Sequence, residues 1–365
     1  MKNKRFRWWR IPLALLLTLA LLLAVYIVYL LTTYHRIEDN LPLEVRGTAR
    51  EPAETDKEYT IVSYNIGFGA YTADFTFFMD GGKESRARSE ESVLNCVRES
   101  AKTALSFDPD FVLFQEVDTG STRSYQVDEA QLIQEAFDAQ GDFDSVFAQN
   151  YHSAYLFYPF TKPHGASNSG LLTQSRADIA SSLRRSLPIA SGLKKYLDLD
   201  RCYSVSRIPV ADGRELILVN AHLSAYGTNA GQGQAQMEQL FADLKKEYEQ
   251  GNYVICGGDF NHDFTTNSKA LLNPGNADTF SWCHPFPDEL IPAGFSKCTD
   301  YADGLTATTR NTDIPYGEDS FTAVLDGFLV SDNVKCSYVQ NIDTGFLYTD
   351  HNPVVMRFAL SPAQG

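Results

Sequence analysis

Asp350 and His351 stand side by side in Tyr348-Thr349-Asp350-His351-Asn352-Pro353, just ahead of the apolar run Val354-Val355-Met356-Arg357-Phe358. A carboxylate next to an imidazole can make a water nucleophilic: the imidazole takes the proton and the carboxylate fixes its orientation. Alone, such a pair is weak evidence. Other polar positions upstream repeat the same placement, at or near the end of an apolar strand-like run.

Asn65 follows Tyr59-Thr60-Ile61-Val62-Ser63-Tyr64, where its amide could bond a phosphate oxygen or orient a carboxylate; a turn-forming Asn is the plainer reading. Glu116 closes Phe111-Val112-Leu113-Phe114-Gln115. An acid within a buried strand is costly unless paired or bound to a cation, and magnesium favours one or two carboxylates plus water and phosphate oxygens. His222 ends Leu216-Ile217-Leu218-Val219-Asn220-Ala221, as a phosphoryl donor or a structural histidine. Asp259 and Asn261 follow Tyr253-Val254-Ile255-Cys256-Gly257-Gly258. The glycines permit a tight backbone where that strand ends, and residues two apart point the same way if the extended geometry continues. Asp326 in Val324-Leu325-Asp326-Gly327-Phe328 is an acid with no adjacent base, either functional or bonded to backbone.

These side chains need a scaffold, and the apolar pattern supplies one. Runs such as 59–66 and 111–117 are apolar on both faces, as in covered sheets. Further strands are expected at about 144–148, 155–158, 169–173, 202–210, 215–221, 253–258, 324–330 and 353–360. Helices are expected at about 89–106, after Asp128, and at about 232–249. Helices interleave with hairpin-like strands, so two packed mixed sheets with helices outside is the expected architecture. The aromatic insertion 67–88, with Phe68, Tyr71, Phe75, Phe77 and Phe78, reads as a small satellite core or a loop dipping toward lipid.

The first ten residues hold Lys2, Lys4, Arg5, Arg7 and Arg10, and Ile11 to Leu31 carries no charge. As a helix this stretch spans roughly 32 Å, a bilayer's hydrocarbon thickness. A cleaved signal peptide is the rival, but its apolar core would be shorter and no small-x-small site follows. The expected division is a basic cytoplasmic tail (1–10), a transmembrane helix (11–32), a linker (33–58) and a catalytic domain (59–361) on the extracellular side. Residues 41–365 hold 25 Lys/Arg against 44 Asp/Glu, a net −19. That balance disfavours tight, non-specific nucleic-acid binding and suits a site offering carboxylates to a metal. The six cysteines show no metal-ligand spacing; Cys283 and Cys298 lie in loop-like sequence as free thiols or a disulfide. No protein partner is deducible.

The ordered set Asn65, Glu116, His222, Asp259-x-Asn261, Asp326 and Asp350-His351 resembles the endonuclease/exonuclease/phosphatase superfamily over about residues 59–360. The resemblance implies an α/β fold, a four-layer α/β/β/α sandwich of two mixed sheets, with Mg2+, or alternatively Mn2+, in a cleft at one edge. It implies metal contacts from Glu116, Asn65 and Asp350, and catalysis by His351, Asp326, Asp259, His222 and Asn261. Asn65, Asn261 and His222 would face the substrate phosphate. One or two metal ions are both compatible. The implied activity is hydrolysis of a phosphodiester, a phospholipid head group or other small ester, by a His-activated water. An extracellular nuclease is the alternative, and a catalytically idle binding module the rival of a different class. Loop bases Lys83, Arg86, Arg88, Arg123 and Lys162 are weak phosphate candidates beside their reading as solvated surface charge.

Overall fold

The computed structural model describes residues 8–189, 200–224, 230–277 and 280–362. Helix α1 (Arg10–Thr33) carries no charge after Arg10 and buries none of its residues against the domain core. Helices α2 (Glu90–Leu105), α3 (Glu129–Asp138), α4 (Ala230–Glu249) and the short α5 (Ser268–Leu272) belong to the domain. The strands in chain order are β1 (Leu41–Leu43), β2 (Val45–Gly47), β3 (Glu58–Asn65), β4 (Phe111–Asp118), β5 (Asp144–His152), β6 (Asn168–Ser175), β7 (Ser181–Ser186), β8 (Cys202–Pro209), β9 (Glu215–His222), β10 (Tyr253–Asp259), β11 (Phe295–Lys297), β12 (Thr309–Arg310), β13 (Thr322–Ala323), β14 (Asp326–Ser331), β15 (Val334–Asn341) and β16 (Val354–Leu360).

Two seven-stranded sheets carry the architecture, ordered β1-β7-β8-β9-β10-β14-β11 and β15-β16-β3-β4-β6-β5-β2. Each is mixed: β9 and β10 run parallel in one, β3 and β4 in the other, among antiparallel neighbours. Between the sheets lies one apolar core, with Ile61, Phe111, Leu113 and Phe358 from one side and Leu216, Leu218, Ile255 and Phe328 from the other. A second core packs α2 and α3 on the outer face of one sheet through Val93, Val97, Ile133 and Phe137. A third packs α4 on the other through Met237, Leu240, Phe241 and Leu244. The four-layer α/β/β/α order follows, and burying each of these large side chains stabilises it by roughly 1.5–3 kcal/mol.

The helix starts have local causes. Ser89 accepts from the Ser92 N–H at the start of α2, and Asp128 accepts from the Gln131 N–H at the start of α3. The aromatic insertion forms no separate satellite core: Phe68, Tyr71, Phe75 and Phe77 are buried in the same core as α2 and α3, and Phe78 is partly covered.

Two expectations change and one open alternative resolves. The stretch 33–58 is not a free linker, because β1 pairs with β7 and β2 with β5, so it supplies an edge strand to each sheet. Residues 155–158 form no strand; they make one bridge, Leu156 to Gly165, in a loop where Pro159 and Pro163 remove backbone donors. Cys283 and Cys298 are separate free thiols, both buried.

Candidate active site

Strand direction brings the polar residues to one edge. Parallel β3 and β4 carry Asn65 and Glu116 at or near their C-terminal ends, and antiparallel β16 begins beside the end of β3, with Val354 opposite Ser63. In the other sheet, Asp259 on β10 lies in register with His222 on β9 and Asp326 on β14. The same edges of the two sheets thus face each other, and Asn65 Nδ2 spans them, 3.1 Å from Asp259 Oδ2 and 3.4 Å from Glu116 Oε1. Two glycines make the close approach possible. A Cβ at Gly258 (φ +142°) would meet the Ala221 carbonyl at 1.9 Å, and one at Gly67 (φ +52°) would meet the Tyr71 ring at 2.6 Å and Asp350 Oδ1 at 2.9 Å.

His351 is nearly buried, with Nδ1 donating to Asp326 Oδ2 at 2.8 Å. That bond leaves Nε2 facing Asp259 Oδ2 at 3.8 Å and the Thr309 hydroxyl at 3.3 Å. Burial opposes charge on the ring, but Asp326, then Asp259 and Asp350, raise its pKa to about 10. Burial and the neighbouring Asp326 push Asp259 up to about 7, although His351 and the Asn261 N–H pull it down. His222 is different: burial, then Arg201 and His351, hold it well below the usual imidazole range, so it is neutral at pH 7. Its Nε2 lies 3.5 Å from Asp259 Oδ2 and 4.0 Å from Glu116 Oε1.

Glu116 sits at a bulge in β4, where pairing with β6 shifts between Phe114 and Val117 and its own φ is +54°. A bulge re-aims a side chain, and here it presents a partly exposed carboxylate to the cleft. Asp350 is raised to about 6, mainly by burial against the pull of His351, with Glu116 and Arg310 next. These carboxylates crowd negative charge with hard oxygen donors, a chemistry that suits Mg2+ or Mn2+. Donor atoms of Asp259, Asp326 and His351 also lie within 4.8 Å of one another. In that trio the Asp326–His351 hydrogen bond already engages one donor pair, which leaves Glu116 and Asp350 as the freer oxygen donors. Asn65 is held by its Oδ1, which accepts from the Gly67 N–H at 3.0 Å, and its Nδ2 faces Asp259 and Glu116.

Asn65, Glu116, His222, Asp259, Asp326 and His351 are therefore one connected set. Asn261 joins through its backbone N–H to Asp259 Oδ1 at 2.8 Å, while its Nδ2 donates to the Leu223 carbonyl. Of the loop bases, Arg123 is buried in an ion pair with Asp118 and Arg88 pairs with Asp74. Sequence reasoning missed Thr309 and Arg310. The Arg310 backbone N–H donates to the Asp350 carbonyl, and its guanidinium donates to the carbonyls of Thr72 and Phe75, pinning the aromatic insertion beside the site. Both residues lie in the irregular stretch 265–320, and its lack of periodicity hid them.

This fold and cleft define a phosphoester hydrolase of the phosphodiesterase/nuclease type. The chain belongs to the endonuclease/exonuclease/phosphatase family, whose model matches residues 62–351. Enzymes of this family generally depend on a divalent metal. No curated protein matches the chain. Solved structures of similar fold include an endonuclease/exonuclease/phosphatase from Beutenbergia cavernae (15% identity, 84% of this chain and 72% of that one, TM-score 0.56). The human Nocturnin catalytic domain with bound sulfate aligns at 15% identity over 87% of this chain and 98% of that one, TM-score 0.51. TDP2 of D. rerio, complexed with single-strand DNA product, aligns at 15% identity over 83% and 99%, TM-score 0.50. At these identities the likeness is one of fold.

Proposed function

We propose that this chain is a membrane-anchored, Mg2+-dependent phosphodiesterase acting on a phospholipid head group or other small phosphodiester at the outer face of the membrane. The observation that carries the reading is the Asp326–His351 pair, bonded at 2.8 Å in the cleft that also holds Asp259 and Glu116. A divalent ion held by Glu116 and Asp350 would supply charge neutralisation at a phosphoryl oxygen and lower the proton affinity of His351. His351 Nε2 takes a proton from the attacking water, while Asp326 fixes the ring and steadies the imidazolium. Asp259 orients that water, with Asn65 holding the Asp259 carboxylate. Neutral His222 and the remaining N–H of Asn261 stabilise charge on the pentavalent phosphorus, where preorganised donors have most effect. Mn2+ serves the same donor set.

The anchor supports a substrate at the membrane: α1 is long and apolar enough to span it, and the basic residues before it favour an N-terminus in the cytoplasm. Nucleic acid is the second reading. The DNA complex of the D. rerio protein favours it and the net −19 of residues 41–365 opposes it. The test is turnover of bis(p-nitrophenyl) phosphate, lost with chelator and restored by Mg2+. Release of phosphorylated head groups from liposomes, without plasmid nicking, then supports the lipid reading; nicking alone overturns it.

A further inference from the structure

A loop rich in aromatics stands apart from the catalytic cleft. Residues Tyr155-Leu156-Phe157-Tyr158-Pro159-Phe160 leave Phe157 50%, Tyr158 63% and Phe160 83% exposed. Single exposed apolar residues need no explanation, but a contiguous aromatic patch marks an interaction surface.

Helix α1 identifies the partner. The Tyr26 hydroxyl donates to the Tyr155 carbonyl at 3.1 Å, and the Tyr155 N–H donates to the Tyr29 hydroxyl at 3.0 Å. The Phe157 ring meets the Tyr26 ring edge-on at 5.2 Å. Tyr26 lies five residues before Leu31, the end of the uncharged run, so the loop meets the helix roughly 7 Å below that end. A backbone at that depth must have its polar groups bonded by protein, and two tyrosines do this at Tyr155. The charge beside this loop is mixed, with Lys162 near Arg86 and Arg88 but also near Glu84, so the aromatic side chains carry the contact.

We infer that the 155–160 loop is a second membrane contact, seating its aromatic side chains in the bilayer interface next to α1 and so fixing the domain's orientation on the lipid. The inference rests on the reading of α1 as an uncleaved anchor. Ring contacts run from Tyr158 through Phe78 and Phe77 to Tyr71, whose ring borders Gly67 at the cleft. The loop is thus joined by ring contacts to the border of the cleft.

The test uses the full chain with Trp8→Phe, Trp9→Phe and Phe160→Trp, reconstituted in vesicles of phosphatidylcholine and phosphatidylglycerol. The same chain without Phe160→Trp supplies the background of Trp282. Circular dichroism checks folding, which is expected to hold because the Phe160 side chain is largely in solvent. The expected result is emission at position 160 that is blue-shifted and reduced roughly twofold by lipid brominated near the head group. Emission typical of water, quenched by aqueous iodide while the chain still floats with the vesicles, overturns the inference and leaves the anchor intact. A chain that does not float at all overturns both.

Discussion

Asp118–Arg123 and Asp326–His351 are both buried pairs of a carboxylate and a cationic side chain, but they are finished differently. Arg123 donates to both Asp118 oxygens, at 2.9 and 2.7 Å, and the Ser124 hydroxyl adds a third bond at 3.0 Å. The guanidinium also lies 3.8 Å over the Phe68 ring. Asp326 spends one oxygen on His351, and its buried Oδ1 finds no hydrogen-bond partner among the described residues. The far nitrogen of His351 faces the cleft, with only the longer approaches to Asp259 and Thr309. A saturated pair holds the aromatic insertion to β4; an unsaturated one keeps capacity for a proton and a substrate. Burial and charge alone do not separate structural from catalytic pairs; here the second imidazole nitrogen, turned to the cleft beside Asp259, does.

Exchanging the carboxylates for amides separates the two pairs by turnover. Asp326→Asn should lower turnover of bis(p-nitrophenyl) phosphate by about 10⁴-fold, since His351 loses the partner that fixes its tautomer. Urea unfolding of this variant should weaken too, because the buried His351 loses the carboxylate that does most to raise its pKa, so turnover is compared per folded molecule. Asp118→Asn should act on stability alone: it removes the bidentate partner of buried Arg123 and costs about 3–5 kcal/mol in urea melts. Turnover per folded molecule should change little. An Asp118→Asn protein as stable as wild type would end the distinction.

The pH dependence sharpens it further. His164 packs on Phe77 and Phe78, and burial, then the Arg123 charge, lowers its pKa to about 4. The unfolded chain, with the ordinary value near 6.5, binds the proton first as pH falls. Stability is therefore complete above pH 6.5 and falls by roughly 3 kcal/mol by pH 4. In His164→Gln this part of the loss should vanish; an unchanged pH profile of the urea midpoint would contradict it. The smallest effect belongs to Thr309, whose hydroxyl lies 3.3 Å from His351 Nε2. Thr309→Val should reduce turnover by about tenfold, near 1.4 kcal/mol, with unfolding unchanged.

Much of this was legible in the chain because the site residues close apolar strands. Runs such as Phe111–Phe114 announce a strand covered on both faces, and a carboxylate following one must be accounted for. The sequence was silent where partners, not side chains, decide. β7 reads Ser-Ser-Leu-Arg-Arg-Ser, yet it is an interior strand between β1 and β8. Its Arg184 is fully buried because the Gln149 and Asp200 carbonyls each accept from it at 2.7 Å. Residues 155–158 misled in the other direction: their apolar side chains resemble a strand's, yet much of that surface stays exposed. Arg310 earns no signal from periodicity, since the carbonyls that hold it come from residues 72 and 75, far back in the chain.

The central claim is that His351 moves the proton of the attacking water. Its most direct measurement is the initial rate of Mg2+-supported bis(p-nitrophenyl) phosphate hydrolysis by wild type and His351→Ala at equal concentrations of folded protein. The expected loss in His351→Ala is about 10³-fold or more. Equal rates would contradict it.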